Sequence, residues 1–277
     1  MLKRVLVAVV GVPVVVAFIY LAGLPFALLI TLITAMASWE LLHAMAKLPL
    51  RMYIYTLLSA AAIPFGFYFG AAVGVKVLGF AVLALMTVVF AEAILSYGKE
   101  NAISSTCVFQ SLFAGVLMPA MMSSLSILNS YGVAGGARAY VILAIGLAFV
   151  TDAGAYFAGV LLGKHRGITQ VSPKKSAEGF VGGLVMGAVF AVVVGLILTA
   201  AFGYTVNYLY LAVYGVFGAL VTEVGDLAFS LIKREYGIKD YGKLLPGHGG
   251  MMDRFDSMVF CAPVVMLLSQ TIPALIP

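Results

Sequence analysis

Residues 5–97 hold four apolar runs, each long enough to cross a bilayer as a helix and parted from the next by a short turn bearing Gly, Pro or Lys. A hydrocarbon core of about 30 Å takes roughly 20 residues of helix. In lipid only helices and closed barrels satisfy their own backbone, and runs this long lack the strict alternation of barrel strands. Continued along the chain, the pattern predicts spans at 5–22, 25–45, 53–73, 76–97, 106–129, 139–162, 178–202, 207–234 and 254–275. The fifth is diluted by Ser104, Ser105, Gln110, Ser123 and Ser124. Composition agrees, with 63% hydrophobic and 10% charged residues, where soluble domains carry about 45–50% and about 25%. A chain of this length has no globular core large enough to hide so much apolar surface. The expected fold is all-α: a polytopic integral membrane protein of about nine transmembrane helices.

The N-terminus, Lys3 and Arg4 before an apolar run, imitates a secretory signal. The apolar stretch to Ala37 is too long for one and carries a turn at Gly23-Leu-Pro25, so it reads as two retained helices. With the N-terminus in the cytoplasm and nine alternating spans, fourteen of the sixteen Lys and Arg residues fall on the cytoplasmic side, leaving Lys76 and Arg138 outside. That is the bias the positive-inside rule asks for. The expected location is the cell inner (plasma) membrane, multi-pass, with any active site facing the cytoplasm. The net charge of +5 is therefore read as topology and anion binding, with no nucleic-acid partner expected. Cys107 and Cys261 lie in apolar runs, with no CxxC and no zinc-ligand spacing; both read as packing residues.

Acidic residues are unevenly spread. Residues 1–150 hold only Glu40, Glu92 and Glu100, and the other eight lie between Asp152 and Asp256. The expectation is an N-terminal membrane scaffold over 1–135 and a catalytic membrane region over 136–277. A carboxylate at a helix centre costs about 2.5–3.5 kcal/mol even on the lenient insertion scale. Yet Asp152 sits near the end of span six, Glu223 and Asp226 within span eight, and Asp253 and Asp256 at the start of span nine. Neutralising Lys233, Arg234 or Arg254 would account for any one of these, but together they outnumber that need. Glu223, Asp226, Ser230 and Lys233 line one helical face, and Asp253 and Asp256 share another. Two helices joined by the loop from Tyr236 to Met252 would bring Asp226 and Asp253 around a cation. Oxygen-only ligands favour Mg²⁺ over softer metals.

That loop reads Lys239-Asp-Tyr-Gly-Lys243-Leu-Leu-Pro246-Gly-His248-Gly-Gly250. Its glycine amides can cradle phosphate oxygens, and Lys239, Lys243, His248 and Arg254 supply donors suited to a polyphosphate. A second basic loop, Lys164-His-Arg166 through Ser172-Pro-Lys174-Lys175, would lie on the same side. Gly159 to His165 imitates a P-loop but is one residue short between its glycines, lacks the Ser/Thr, and follows a membrane helix instead of a strand.

The run from Ser230 to Asp256 resembles the phosphatidate cytidylyltransferase signature along its whole length. Gly225-Asp226, Asp152-Ala-Gly-Ala-Tyr156, Gly163-Lys164 and Ser172 through Gly179 resemble further blocks of that family. Before about residue 140 only the hydropathy is similar. Ala177 stands where many members carry an aromatic residue, and Glu223 adds a carboxylate where many carry an uncharged side chain. The resemblance implies joining CTP to phosphatidate to give CDP-diacylglycerol and pyrophosphate, in phospholipid biosynthesis, by a homodimer. It implies Mg²⁺, with room for a second cation, at Asp226, Asp253 and Asp256. Catalytic roles would fall to Asp226, Asp253, Lys233, Ser230 and His248. Lys174, Lys175, Lys239, Arg254, Asp152, Arg234, Gly249 and Gly250 would bind substrate.

Alternatives remain at this point. One is the same chemistry on another lipid phosphate or alcohol. Another is a cation-coupled transporter, since intramembrane carboxylates also mark ion paths, although no self-similarity between halves is visible.

Overall fold

The computed structural model describes residues 2–130, 137–244, 247 and 249–276, with side chains described from Gly11 onward apart from positions 12, 130 and 137. The candidate His248 lies outside the described residues. The helices are α1 (Leu2–Leu21), α2 (Gly23–Met45), α3 (Leu50–Tyr68), α4 (Ala71–Ser96), α5 (Ser105–Leu112), α6 (Met118–Ser130), α7 (Ala137–Leu161), α8 (Ala177–Phe202), α9 (Tyr208–Glu235) and α10 (Met252–Thr271). A π-helical turn, Phe113–Leu117, joins α5 to α6 in one rod. Among the described residues seven helices are long and apolar enough to cross a membrane: α2, α3, α4, the α5–α6 rod, α7, α8 and α9. α10, with Asp253, Arg254 and Asp256 in its opening turns, is not one of them. The architecture is the expected helical, multi-spanning one. It adds a two-residue antiparallel ladder, Thr205–Val206 with Leu275–Ile276.

The chain forms two compact units. One comprises residues 1–130 with 236–255, the other residues 131–235 with 256–277. In the first, Met52, Leu85, Val89 and Val108 form a buried cluster, while α4 turns Phe80, Leu83, Ile94 and Leu95 outward, as a lipid-facing helix would. Ser105, Ser123 and Ser124 of the diluted fifth span belong to a rod whose π turn frees backbone carbonyls from the i→i−4 ladder. Neighbouring helices answer those carbonyls. Ser38 of α2 donates to Ala114 O and Ser59 of α3 to Gly115 O, each at 2.7 Å. Such bonds between membrane helices contribute about 0.6–2 kcal/mol each.

In the second unit α8 is the middle layer, packed on α7 and on α9. Its buried stripe Gly179, Gly183, Gly187, Ala191 and Gly195 recurs every four residues, so the backbones approach closely. A Cβ on Gly215 of α9 would come within 2.5 Å of Ala188 Cα. One end of this unit is tied by tyrosines. Tyr140 Oη accepts the N–H groups of Ala274 and Leu275, and Tyr214 donates to Ile272 O. The other end, about 18 Å along α7 by helix rise, carries the carboxylates.

Candidate functional site

The segment between α7 and α8 reverses on itself before entering the membrane again. Gly167 N–H donates to Lys175 O and Ala177 N–H to His165 O, closing a short antiparallel bridge between Arg166 and Ser176. Ser176 then caps α8, accepting the Gly179 N–H at 3.1 Å, as N-cap serines do. Glu178 in the first turn holds the segment from below through the N–H and Nδ1 of His165. This folding fixes Lys175 and turns its neighbour Lys174 out to solvent.

Lys175 reaches the face of α9. Its Nζ lies 2.5 Å from Glu223 Oε2 and 2.7 Å from Asp226 Oδ2. Glu223 is fully buried, and its other oxygen, Oε1, has no hydrogen-bond partner among the described residues. The space it fills exists because residue 183 is glycine: a Cβ there would lie 2.8 Å from Glu223 Oε1. Burial pulls the Lys175 ammonium down, but Asp226 and Glu223 more than offset this and hold its pKa above the usual lysine value. Two carboxylates thus keep one cation permanently charged at neutral pH.

Asp256 and Ser257 of α10 complete the group. Gly225 lets α9 lie against α10, since a Cβ there would meet Phe260 at 3.0 Å and Asp256 O at 3.1 Å. Lys233, two turns along the same face of α9 from Asp226, stands 3.6 Å from Asp256, and the two charges offset each other. Ser257 Oγ donates to Asp152 Oδ2 at 3.0 Å. Asp226 and Asp256 are both near enough for their charges to act on Asp152. Arg234, in the last turn of α9, donates through Nε to Val171 O at 3.4 Å. Of the sequence candidates, this unit therefore gathers Asp152, Lys175, Asp226, Lys233 and Asp256, with Ser230 on the same face of α9. On the exposed face of α7 and α8 runs an apolar groove of about 900 Å³, lined in part by Phe149, Phe157, Val181, Val185 and Met186 and by none of these charged residues.

The glycine loop belongs to the first unit. Asp253 Oδ2 accepts the N–H groups of Tyr241 (2.8 Å) and Gly250 (2.9 Å), closing the loop upon itself. Gly249 has φ +83°, and a Cβ there would lie 2.8 Å from the same oxygen. Lys239 and Arg254 are exposed. The loop is anchored on α2 and α5, helices read from sequence as scaffold: Glu40 accepts the Met252 N–H at 2.8 Å, and Gln110 Nε2 donates to Tyr236 Oη.

Glu223, Ser257 and Glu40 are the residues the sequence reading left without a role. The face shared by Glu223 and Asp226 was a signal for the first. Ser257 follows Asp256 directly but carries no spacing signal of its own. Glu40 was hidden because its partner is a main-chain amide.

Among the described residues no three His, Cys, Asp or Glu side chains converge as a ready-made metal cage. The carboxylates are oxygen donors, the type that Mg²⁺ takes. That ion keeps several waters and is commonly held by one or two carboxylates together with substrate phosphates. Here Asp226 and Asp256 each already face an ammonium.

The sequence matches the cytidylyltransferase family over residues 2–272. It is 32% identical over 276 residues to a phosphatidate cytidylyltransferase of Bacillus subtilis, covering 97% of each chain. Over 129 residues, 47% of this chain and 48% of the relative, it is 38% identical to a phosphatidate cytidylyltransferase of Staphylococcus saprophyticus. Over 133 residues it is 39% identical to one of Staphylococcus epidermidis, covering 48% of this chain and 50% of the relative. The likeness extends through the N-terminal helices, where the sequence blocks alone had offered only hydropathy. From its first helix to its last, the chain belongs to the cytidylyltransferase family.

Proposed function

We propose that this protein is a phosphatidate cytidylyltransferase, joining CTP to phosphatidate to give CDP-diacylglycerol and pyrophosphate. The observation that carries this reading is the Lys175 ammonium, brought in by the α7–α8 loop and held by Glu223 and Asp226 within α9, in a chain whose family is established over its length. A phosphate oxygen of phosphatidate attacks the α-phosphorus of CTP, the bond to the β-phosphate oxygen breaks, and pyrophosphate leaves. The nucleophile is already an anion, so no strong general base is required. What the reaction needs is alignment of two phosphates and neutralisation of their gathered charge.

Lys175, oriented by Glu223, presents a fixed positive charge to that site, and Lys174 and Arg234 extend it. Lys239, Arg254 and the amides of Gly249 and Gly250 are assigned to the triphosphate, and Ser230, Lys233 and His248 to further donation. These assignments rest on the signature and on the chemistry of the side chains. Asp226 and Asp256, with Asp253, are the carboxylates that would hold Mg²⁺ and leave room for a second cation. When bound, Mg²⁺ supplies neutralisation of the triphosphate. Asp152, hydrogen-bonded to Ser257, lies beside the same carboxylates. The apolar groove along α7 and α8 suits an acceptor with acyl chains.

We read α1 and α10 as two further crossings beside the seven apolar helices, nine in all, and the bias of basic residues supports a cytoplasmic N-terminus. That topology puts most basic residues, and the site, on the cytoplasmic face of a bacterial inner membrane, where CTP is available. The working assembly is taken as a homodimer, and nucleic acid has no part in it.

The test is a lipid panel. Purified protein in detergent is given labelled CTP and Mg²⁺ with phosphatidate, with other lipid phosphates, or with lipid alcohols. Product with phosphatidate well above the rest supports the reading. Preference for another lipid moves the substrate, and no product with any acceptor brings the transporter reading forward.

A further inference from the structure

Glu40 lies in α2, among apolar residues, and is only 8% exposed. Keeping a carboxylate there is costly unless something compensates it. Among the described residues its hydrogen bond goes to main chain: Oε2 accepts the N–H of Met252, the first residue of α10, at 2.8 Å. It thus acts as an N-terminal cap delivered from another helix, where both the exposed amides and the helix dipole favour an anion.

The same carboxylate occupies the space beside two loop glycines. A Cβ on Gly242 or on Gly250 would come closer than 3.0 Å to its oxygens. Gly250 has no positive φ, so its lack of a side chain answers to Glu40 and not to backbone strain. Gly250 and Tyr241 in turn donate to Asp253 Oδ2. Glu40 and Asp253 together therefore pin both ends of the loop, at 241–242 and at 250–253.

We propose that Glu40 is a positioning residue: it holds the signature loop closed so that Lys239 and its glycine amides meet the nucleotide phosphates. This rests on the cytidylyltransferase reading. It also gives a part in the reaction to a helix that bears none of the sequence blocks of the signature.

The test uses the full chain in detergent and reads two quantities, tryptic cleavage after the exposed Lys239 and Lys243 and the KM for CTP against kcat. Glu40→Gln keeps the reach of the side chain and an acceptor oxygen, and stays within about threefold of wild type in both. Glu40→Asp keeps the charge but retracts it by one methylene, so cleavage and KM each rise about tenfold. Gly250→Ala displaces the carboxylate and gives a defect of similar size, and combining it with Glu40→Ala makes neither quantity worse than the poorer single variant. Wild-type cleavage and KM in Glu40→Asp would overturn the proposal, as would additive defects in the double variant. If the wild type transfers no cytidylyl group, the functional reading fails by itself, and the cleavage rates still decide whether Glu40 holds the loop.

Discussion

Glu223 in the second unit and Glu40 in the first are both glutamates buried in membrane helices, yet they are answered differently. Glu223 faces a side-chain ammonium, Lys175, brought in by a capped and bridged loop. Glu40 faces a backbone amide and the empty space of two glycines. The first arrangement stores a charge pair that a phosphate can compete for, which suits a site where anions come and go. Among the described residues the second makes no ion pair, and its hydrogen bond to the Met252 amide serves geometry. A buried carboxylate in a membrane enzyme is therefore not by itself a mark of chemistry; the kind of partner tells which task it has.

The comparison breaks most visibly at Lys175. Lys175→Met leaves Glu223 buried without its cation, and removing one partner of such a pair costs about 3–5 kcal/mol. We expect about a hundredfold or greater loss of kcat/KM, with earlier unfolding on heating in detergent. Adding Glu223→Gln to Lys175→Met should recover most of the lost stability and none of the activity. Recovery of both would mean that Lys175 serves only to neutralise Glu223.

A smaller effect is expected at Gly183. Alanine there crowds Glu223 Oε1 at 2.8 Å and Thr151 O at 3.2 Å, and overpacking of this kind costs about 1–3 kcal/mol. The expected outcome of Gly183→Ala is a lower melting temperature and a moderate fall in kcat, as the glutamate is pushed off Lys175. Glu40 and its loop should be untouched, so tryptic cleavage after Lys243 stays at the wild-type rate.

The smallest effect is that of pH. The folded-state pKa of Lys175 is raised, so the stability from its pairing is fully present below the ordinary lysine value and is lost only as pH rises through the raised one. Between about pH 7 and 9 a thermal stability profile should show no loss that disappears in Lys175→Met. A loss within that window, abolished by the substitution, would mean the carboxylates do not hold the ammonium as described.

Much of this was legible in sequence, for physical reasons. Span lengths follow from bilayer thickness, and the shared face of Glu223, Asp226 and Lys233 follows from helical periodicity. The identity of Lys175 as their partner was not, because it depends on how residues 162–176 fold back, through main-chain bonds that leave little trace in residue type. Nor was it legible that Asp253 Oδ2 accepts the Tyr241 and Gly250 amides, because both donors are main chain. The π turn at 113–117 was unreadable as such. The donors that answer its freed carbonyls, Ser38 and Ser59, lie on other helices.

The central claim is that Lys175 and the carboxylates around it form the reaction centre of a cytidylyltransferase. The most direct measurement is the Mg²⁺ dependence of CDP-diacylglycerol formation from CTP and phosphatidate, by wild type and by Asp226→Asn at matched folding. We predict Mg²⁺-dependent turnover in the wild type and a loss of about a hundredfold or more in Asp226→Asn. Turnover in Asp226→Asn within about threefold of wild type would contradict the account and place the chemistry elsewhere in the chain.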